Sequence, residues 1–150
     1  MRVAVTCDHG GFPLRQAVID TVEALGHEVL DLGIDHIERV DYVDYAVKAG
    51  HALQEGQADR AIGLCGSGVG MCIAGNKMSG VYACVCHDTY SAHQAVEHDN
   101  MNMLCLGGRI IGDELARELV KAFLSTEFST VERYRTRHEK VRDLETNFGR

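Results

Sequence analysis

The sequence predicts an α/β protein: one doubly wound sheet of five parallel strands, in a single domain spanning residues 1–150. Two observations predict it. Short apolar, β-rich runs alternate with helix-periodic segments along the whole chain, the order that builds a parallel sheet covered on both faces. The strand-like runs also end in glycine-rich or polar turns, and no internal repeat, low-complexity tract or linker interrupts them.

The elements follow in order. Arg2–Cys7 is β-rich and apolar, and Phe12–Leu25 places Leu14, Val18, Val22 and Leu25 at helical spacing before Gly26 as a stop. Pro13, the one proline, sits where a helix start tolerates it. Glu28–Leu32 reads as the second strand, and Tyr42–Gln54 as a helix with Val43, Ala46, Val47 and Ala52 near one face. Ala61–Cys65 is a third strand ending in a glycine-rich turn, and Met71–Asn76 a short helix. Val81–Cys86 is a fourth strand and Tyr90–Glu97 a helix. Met103–Leu106 is a fifth strand, closed by Gly107 and Gly108, with helices at Gly112–Leu124 and Val131–Leu144. Crossovers are expected to be right-handed.

Charge and composition narrow the function. The net charge of −7 argues against nucleic acid and anionic membrane surfaces, both of which attract a basic face. No stretch approaches the roughly 20 apolar residues that span a bilayer, and the N-terminal run lacks a signal-peptide core. A cytoplasmic protein is expected. The six cysteines, at positions 7, 65, 72, 84, 86 and 105, fall mostly in strand-like runs and read as reduced, buried thiols rather than disulfides.

In open α/β sheets ligands sit beyond the carboxyl ends of the strands. The first strand ends at Cys7-Asp8-His9-Gly10-Gly11, the third at Cys65-Gly66-Ser67-Gly68-Val69-Gly70 and the fourth at Cys86-His87-Asp88. His98-Asp99-Asn100-Met101-Asn102 precedes the fifth and is expected to join the same cluster. Gly66, Gly68 and Gly70 expose N–H groups that can converge on an anion, with a helix N-terminus behind them. A thiol beside such dipoles is expected to be made more acidic, which suits Cys65 to take a proton from carbon, with Ser67 passing a proton between neighbouring oxygens. The same run also suits a tight strand–helix turn around a buried cysteine. Asp8 and His9 can hold hydroxyls or a phosphate, or Asp8 can simply cap the next helix. Histidine as a residue type can move protons to and from oxygen near neutral pH, which suits His98 to that task, and in a loop it is equally a solvated side chain. Arg133 and Arg137 share one helical face and can clamp a phosphate, or lie on a solvated charged surface with Arg135, Lys140 and Arg142. The glycine turn lacks the dinucleotide pattern, because position 71 is methionine, and it lacks the phosphate-loop lysine. Cys86, His87, His93 and His98 match no standard zinc spacing, so no metal is expected.

Taken together, Cys7 to Gly11, Asp41-Tyr42, Cys65 to Gly70, Ala74-Gly75-Asn76-Lys77 and the run from His98 to Arg109 closely resemble the ribose-5-phosphate isomerase B family, which includes galactose-6-phosphate isomerase subunits. The resemblance covers essentially the whole chain. It implies a Rossmann-like, three-layer α/β/α fold with a five-stranded parallel sheet. It also implies a homodimer or homotetramer whose sites are completed by the neighbouring subunit, and a reaction through a cis-enediol without metal or cofactor. By the family pattern Cys65 moves the proton between C1 and C2, and Ser67, standing where threonine is common, relays protons between O1 and O2. The N–H groups of Gly66, Gly68, Val69 and Gly70 hold the enediolate. His98 opens the furanose ring and Asp8 holds its oxygen or hydroxyl side. His9, Arg133 and Arg137 bind the phosphate, and Tyr42 lines the pocket. Asp99 stands where some members carry asparagine, so it meets the sugar without an amide donor. Some branches place a glutamate base one turn into the helix; Met71 near that position supports the cysteine branch. The expected reaction is interconversion of ribose 5-phosphate and ribulose 5-phosphate. A six-carbon substrate (allose or galactose 6-phosphate) and a non-catalytic phosphosugar- or nucleotide-binding module are the alternatives.

Overall fold

The computed structural model describes residues 1–147. Five strands, β1 (Arg2–Cys7), β2 (Glu28–Asp31), β3 (Arg60–Cys65), β4 (Ala83–Val85) and β5 (Met103–Gly107), form one all-parallel sheet in the order β2-β1-β3-β5-β4. Six helices accompany them: α1 (Phe12–Ala24), α2 (Tyr42–Gln54), α3 (Val69–Gly75), α4 (Thr89–Asp99), α5 (Asp113–Leu124) and α6 (Glu132–Asn147). The expected doubly wound, five-stranded sheet is what the chain forms.

Alternation along the central strands divides the core into two layers. Val3, Val5, Ile62, Leu64, Leu104 and Leu106 face one side and pack with α1, α4 and α5 around Phe123. Ala4, Ala61, Cys65, Met103 and Cys105 face the other, against α2 and α3. Both faces of β1 and β3 are buried, which is why these strands read as nearly continuous apolar runs. The second layer is built of smaller side chains, so α2 contributes alanines to it, Ala46, Ala49 and Ala52.

Boundaries differ where side chains intervene. β4 is shorter than the expected Val81–Cys86, because the Asn102 carboxamide takes the Tyr82 N–H at 2.8 Å and the Asn76 carboxamide brackets Ala83, accepting its N–H at 3.0 Å and donating to its carbonyl at 2.7 Å. α3 begins at Val69 rather than Met71, since Gly68, at φ +80°, turns the chain straight into the helix. That left-handed conformation suits glycine. Asp41 and Asp88 cap α2 and α4 through the N–H groups of Val43 (3.1 Å) and Ser91 (2.7 Å).

The strand order reverses direction between β1 and β3: the chain steps from β1 outward to β2, then returns across to β3 and onward. Such a switch point opens a crevice at the carboxyl ends of the two strands. The loops carrying Asp8 and Cys65 flank it. His98 to Asn102 lies elsewhere, contrary to the expectation that it joins them. Ala61 donates its N–H to the Asn102 carbonyl at 2.8 Å, which places that segment at the amino ends of β3 and β5. A helix that leaves the top of a parallel strand must return to the bottom of the next, so the C-terminus of α4 arrives at the opposite end.

Candidate active site

At the carboxyl ends, three loops interlock. The β1 loop is held by its own aspartate: Asp8 Oδ1 accepts the N–H groups of Gly10 at 2.8 Å and Gly11 at 2.9 Å. Asp8, only 6% exposed, therefore closes the turn that leads into α1 instead of capping the helix, whose N-cap Gly11 has no side-chain partner. The β1 loop then presses on the β3 loop so closely that a Cβ at Gly10 would stand 2.8 Å from the Gly66 nitrogen. The β5 loop joins them: Gly108 and Arg109 donate their N–H groups to the carbonyls of Cys65 (2.8 Å) and Gly66 (3.0 Å).

Cys65 sits at the end of β3 beneath this turn, 5% exposed. The Gly68 N–H donates to its sulfur at 3.1 Å. Ser67 is exposed at the crest of the turn, where its hydroxyl accepts the Val69 N–H at 3.3 Å. Tyr42, the first residue of α2, lies across the start of α3: a Cβ at Gly70 would meet its ring at 2.6 Å. Tertiary packing therefore brings Asp8, Tyr42, Cys65, Gly66, Ser67, Gly68, Val69 and Gly70 to one place, with His9 beside Asp8 on the β1 loop. His9 Nδ1 is buried without a hydrogen-bond partner among the described residues.

Two residues of this end stand in runs named from the sequence but are given no role there. The Arg109 side chain lies against Gly66, with its guanidinium carbon 3.6 Å from where a Cβ would stand. His87, at the end of β4, accepts the Gly107 N–H through Nε2 at 3.0 Å, and burial holds its pKa below the usual histidine range. Arg109 lies inside the run that carries the family resemblance, so the signal for it was present.

The second group of expected site residues gathers at the amino ends, where α6 packs on α4. The His98 ring stacks on Tyr134, centroids 4.0 Å apart and planes 11° from parallel. Arg133 lies over the same tyrosine, 4.6 Å from its ring, and donates to its hydroxyl at 2.5 Å. Asp99 is exposed and accepts from Gln94 Nε2 at 3.3 Å. Arg137 is exposed further along α6. Tyr134, buried to 8% exposure, links His98 to Arg133 and had no sequence signal of its own. The structure thus gathers the expected site residues in two clusters at opposite ends of the sheet.

Comparison with known proteins places the chain in a family. The family model described as Ribose/Galactose Isomerase matches residues 3–141. Ribose-5-phosphate isomerase B of Escherichia coli is 39% identical over 127 residues, covering 85% of each chain. D-erythrulose-4-phosphate isomerase of Pectobacterium atrosepticum is 40% identical over 129 residues, again with 85% of each covered. Among solved structures, ribose-5-phosphate isomerase B of Clostridium thermocellum superposes with a TM-score of 0.94 at 38% identity, covering 99% of both chains. Fold and relatives together define an isomerase built on a parallel α/β sheet. The chain belongs to the ribose/galactose isomerase family.

Proposed function

We propose that this protein interconverts ribose 5-phosphate and ribulose 5-phosphate through an enediolate, with Cys65 as the base that moves the proton between C1 and C2. The observation that carries the reading is the Gly68 N–H aimed at the Cys65 sulfur within a glycine turn at the sheet's switch point. A carbon acid is weak, so the site must stabilise the enediolate as well as supply a base. The turn offers both: backbone donors at Gly66 to Gly70 for the oxyanion, and a thiolate whose charge one of those donors already faces. Ser67 relays protons between O1 and O2. Asp8 and His9 meet the sugar and phosphate from the β1 loop, and Tyr42 walls the pocket.

His98, Asp99, Arg133 and Arg137 enter from a second copy of the chain. The two half-sites are separated by the height of the sheet, about 3.3 Å per residue along β5. That span exceeds the reach of one pentose phosphate, whereas two antiparallel copies bring opposite ends face to face. In that dimer His98 opens the furanose and the arginines orient the phosphate, so that binding energy away from the reacting carbons is used for positioning.

The deciding experiment is Cys65→Ala. Substrate binding is retained and turnover is lost; a variant with near-normal kcat rules out the sulfur as base. Comparing kcat/KM for four-, five- and six-carbon aldose phosphates on the parent enzyme ranks the substrates.

A further inference from the structure

Gln94 lies one helical turn before His98 on α4. Its amide nitrogen, Nε2, is 2.9 Å from His98 Nδ1 and 3.3 Å from Asp99 Oδ2. The carboxylate decides which way this amide faces. An ionised aspartate offers only acceptors, so the group turned toward it is the NH₂. The second hydrogen of that NH₂ then points at His98 Nδ1, which has to accept it and carries no hydrogen of its own. The other ring nitrogen is compatible with this: the acceptor Glu97 Oε2 lies 3.4 Å from His98 Nε2, an ion-pair distance and not a hydrogen bond. The stack on Tyr134 holds the ring plane between these partners.

We propose that Gln94 is a positioning residue that holds His98 as the Nε2–H tautomer, with Asp99 keeping the Gln94 amide from turning round. The inference rests on the reading of His98 as the ring-opening group. Its consequence is chemical. Ring opening breaks the bond from C1 to the ring oxygen, loses a proton from the C1 hydroxyl to water and gains one on the ring oxygen from water. That oxygen is an acceptor with no hydrogen to give, so a neutral Nε2–H donates a hydrogen bond to it as charge builds there, while the opposite tautomer sets lone pair against lone pair. The Glu97 contact is long, so the Nε2–H can redirect its hydrogen bond to a better-placed sugar oxygen. Asp99, the departure from asparagine noted in the sequence, acquires a role here: an amide at that position would accept or donate, and would leave the Gln94 orientation undetermined.

The test reads the tautomer directly. Long-range ¹H–¹⁵N spectra of the full-length protein labelled with ¹⁵N-histidine, with His98 assigned through His98→Asn, show hydrogen on Nε2 in the parent. Gln94→Glu keeps size but offers an acceptor to Nδ1, and moves the hydrogen to Nδ1. Should that variant fail to fold, Gln94→Met removes the donor and yields a mixture of tautomers. A parent ring protonated at Nδ1, or a tautomer indifferent to position 94, overturns the proposal. Activity supplies the second reading. Ribose 5-phosphate must open, whereas ribulose 5-phosphate, with O5 esterified, is already open. Gln94→Glu therefore lowers the initial rate from the aldose on the order of tenfold more than the rate from the ketose, within the range that positioned acid–base groups contribute. If His98→Asn leaves the aldose rate unchanged, the ring-opening reading fails. If His98→Asn lowers it and Gln94→Glu does not, the role of Gln94 fails.

Discussion

The Gly68 N–H stands 3.1 Å from the Cys65 sulfur, so one backbone dipole serves both the turn and the thiol. The relationship depends on Gly68 holding φ at +80°. The proposed base and the loop proposed to stabilise the enediolate are consequently one piece of covalent structure.

Replacing the sulfur by oxygen isolates its contribution. Cys65→Ser keeps a small hydrogen-bonding side chain under the turn, and its fold is retained. Its kcat falls by roughly 10²–10⁴, the scale of a positioned base, with KM little altered. Steady-state kinetics in both directions check this, and an unchanged kcat would reassign the base.

Tyr42 and Gly70 form a coupled pair. Gly70→Ala drives a methyl to within 2.6 Å of the tyrosine ring, and overpacking of this kind costs about 1–3 kcal/mol. The double variant Gly70→Ala/Tyr42→Ala recovers part of that loss, because the obstructing ring is gone. Urea denaturation of the four proteins gives the coupling; simple additivity within about 0.5 kcal/mol would show that the two do not touch in solution.

Acid weakens the fold between neutrality and the low histidine range. Burial depresses His87 below its ordinary value of 6.5, and His138 likewise. A folded pKa below the unfolded one means that the unfolded chain binds more protons between them, so stability rises with pH across that window. The contribution is whole above about 6.5 and is lost as pH falls through the folded values. Protonation of His87 at Nε2 also removes the acceptor for the Gly107 N–H. Thermal unfolding from about pH 7.5 down to about pH 5.5 shows a falling Tm, and His87→Gln flattens the fall. An identical slope in the variant would assign the effect to other groups.

The thiols differ sharply in reactivity. A hydrogen bond from the Cys105 thiol lowers Cys72 to about 6, and Cys72 is half-buried. Burial raises Cys7 to about 11. Because the thiolate is the nucleophile, iodoacetamide near neutral pH alkylates Cys72 well before Cys7, as peptide mass spectrometry reads out. Modification of Cys7 first would contradict the packing described for it.

Much was legible in the sequence because the signals are local. Alternation along Arg2–Cys7 and Ala61–Cys65, helical spacing in Phe12–Leu25 and the glycines after Cys65 follow from backbone geometry over a few residues, and they suffice for the fold class and for the turn that carries the proposed base. What they omit is direction across the sheet. His98 was expected beside Cys65 because both border strands, yet a crossover helix delivers its last turn to the opposite end. Nothing within that segment records which end it reaches.

Tertiary structure alone decided the remainder. Tyr42 lying over Gly70, Arg109 against Gly66, and Tyr134 between His98 and Arg133 join residues far apart in the chain. Each contact exists only after α2, α6 and the β5 loop have packed. A periodic pattern states which face of a helix is apolar, but not what will cover it. The sequence determined the chemistry available at each loop; packing determined which loops meet.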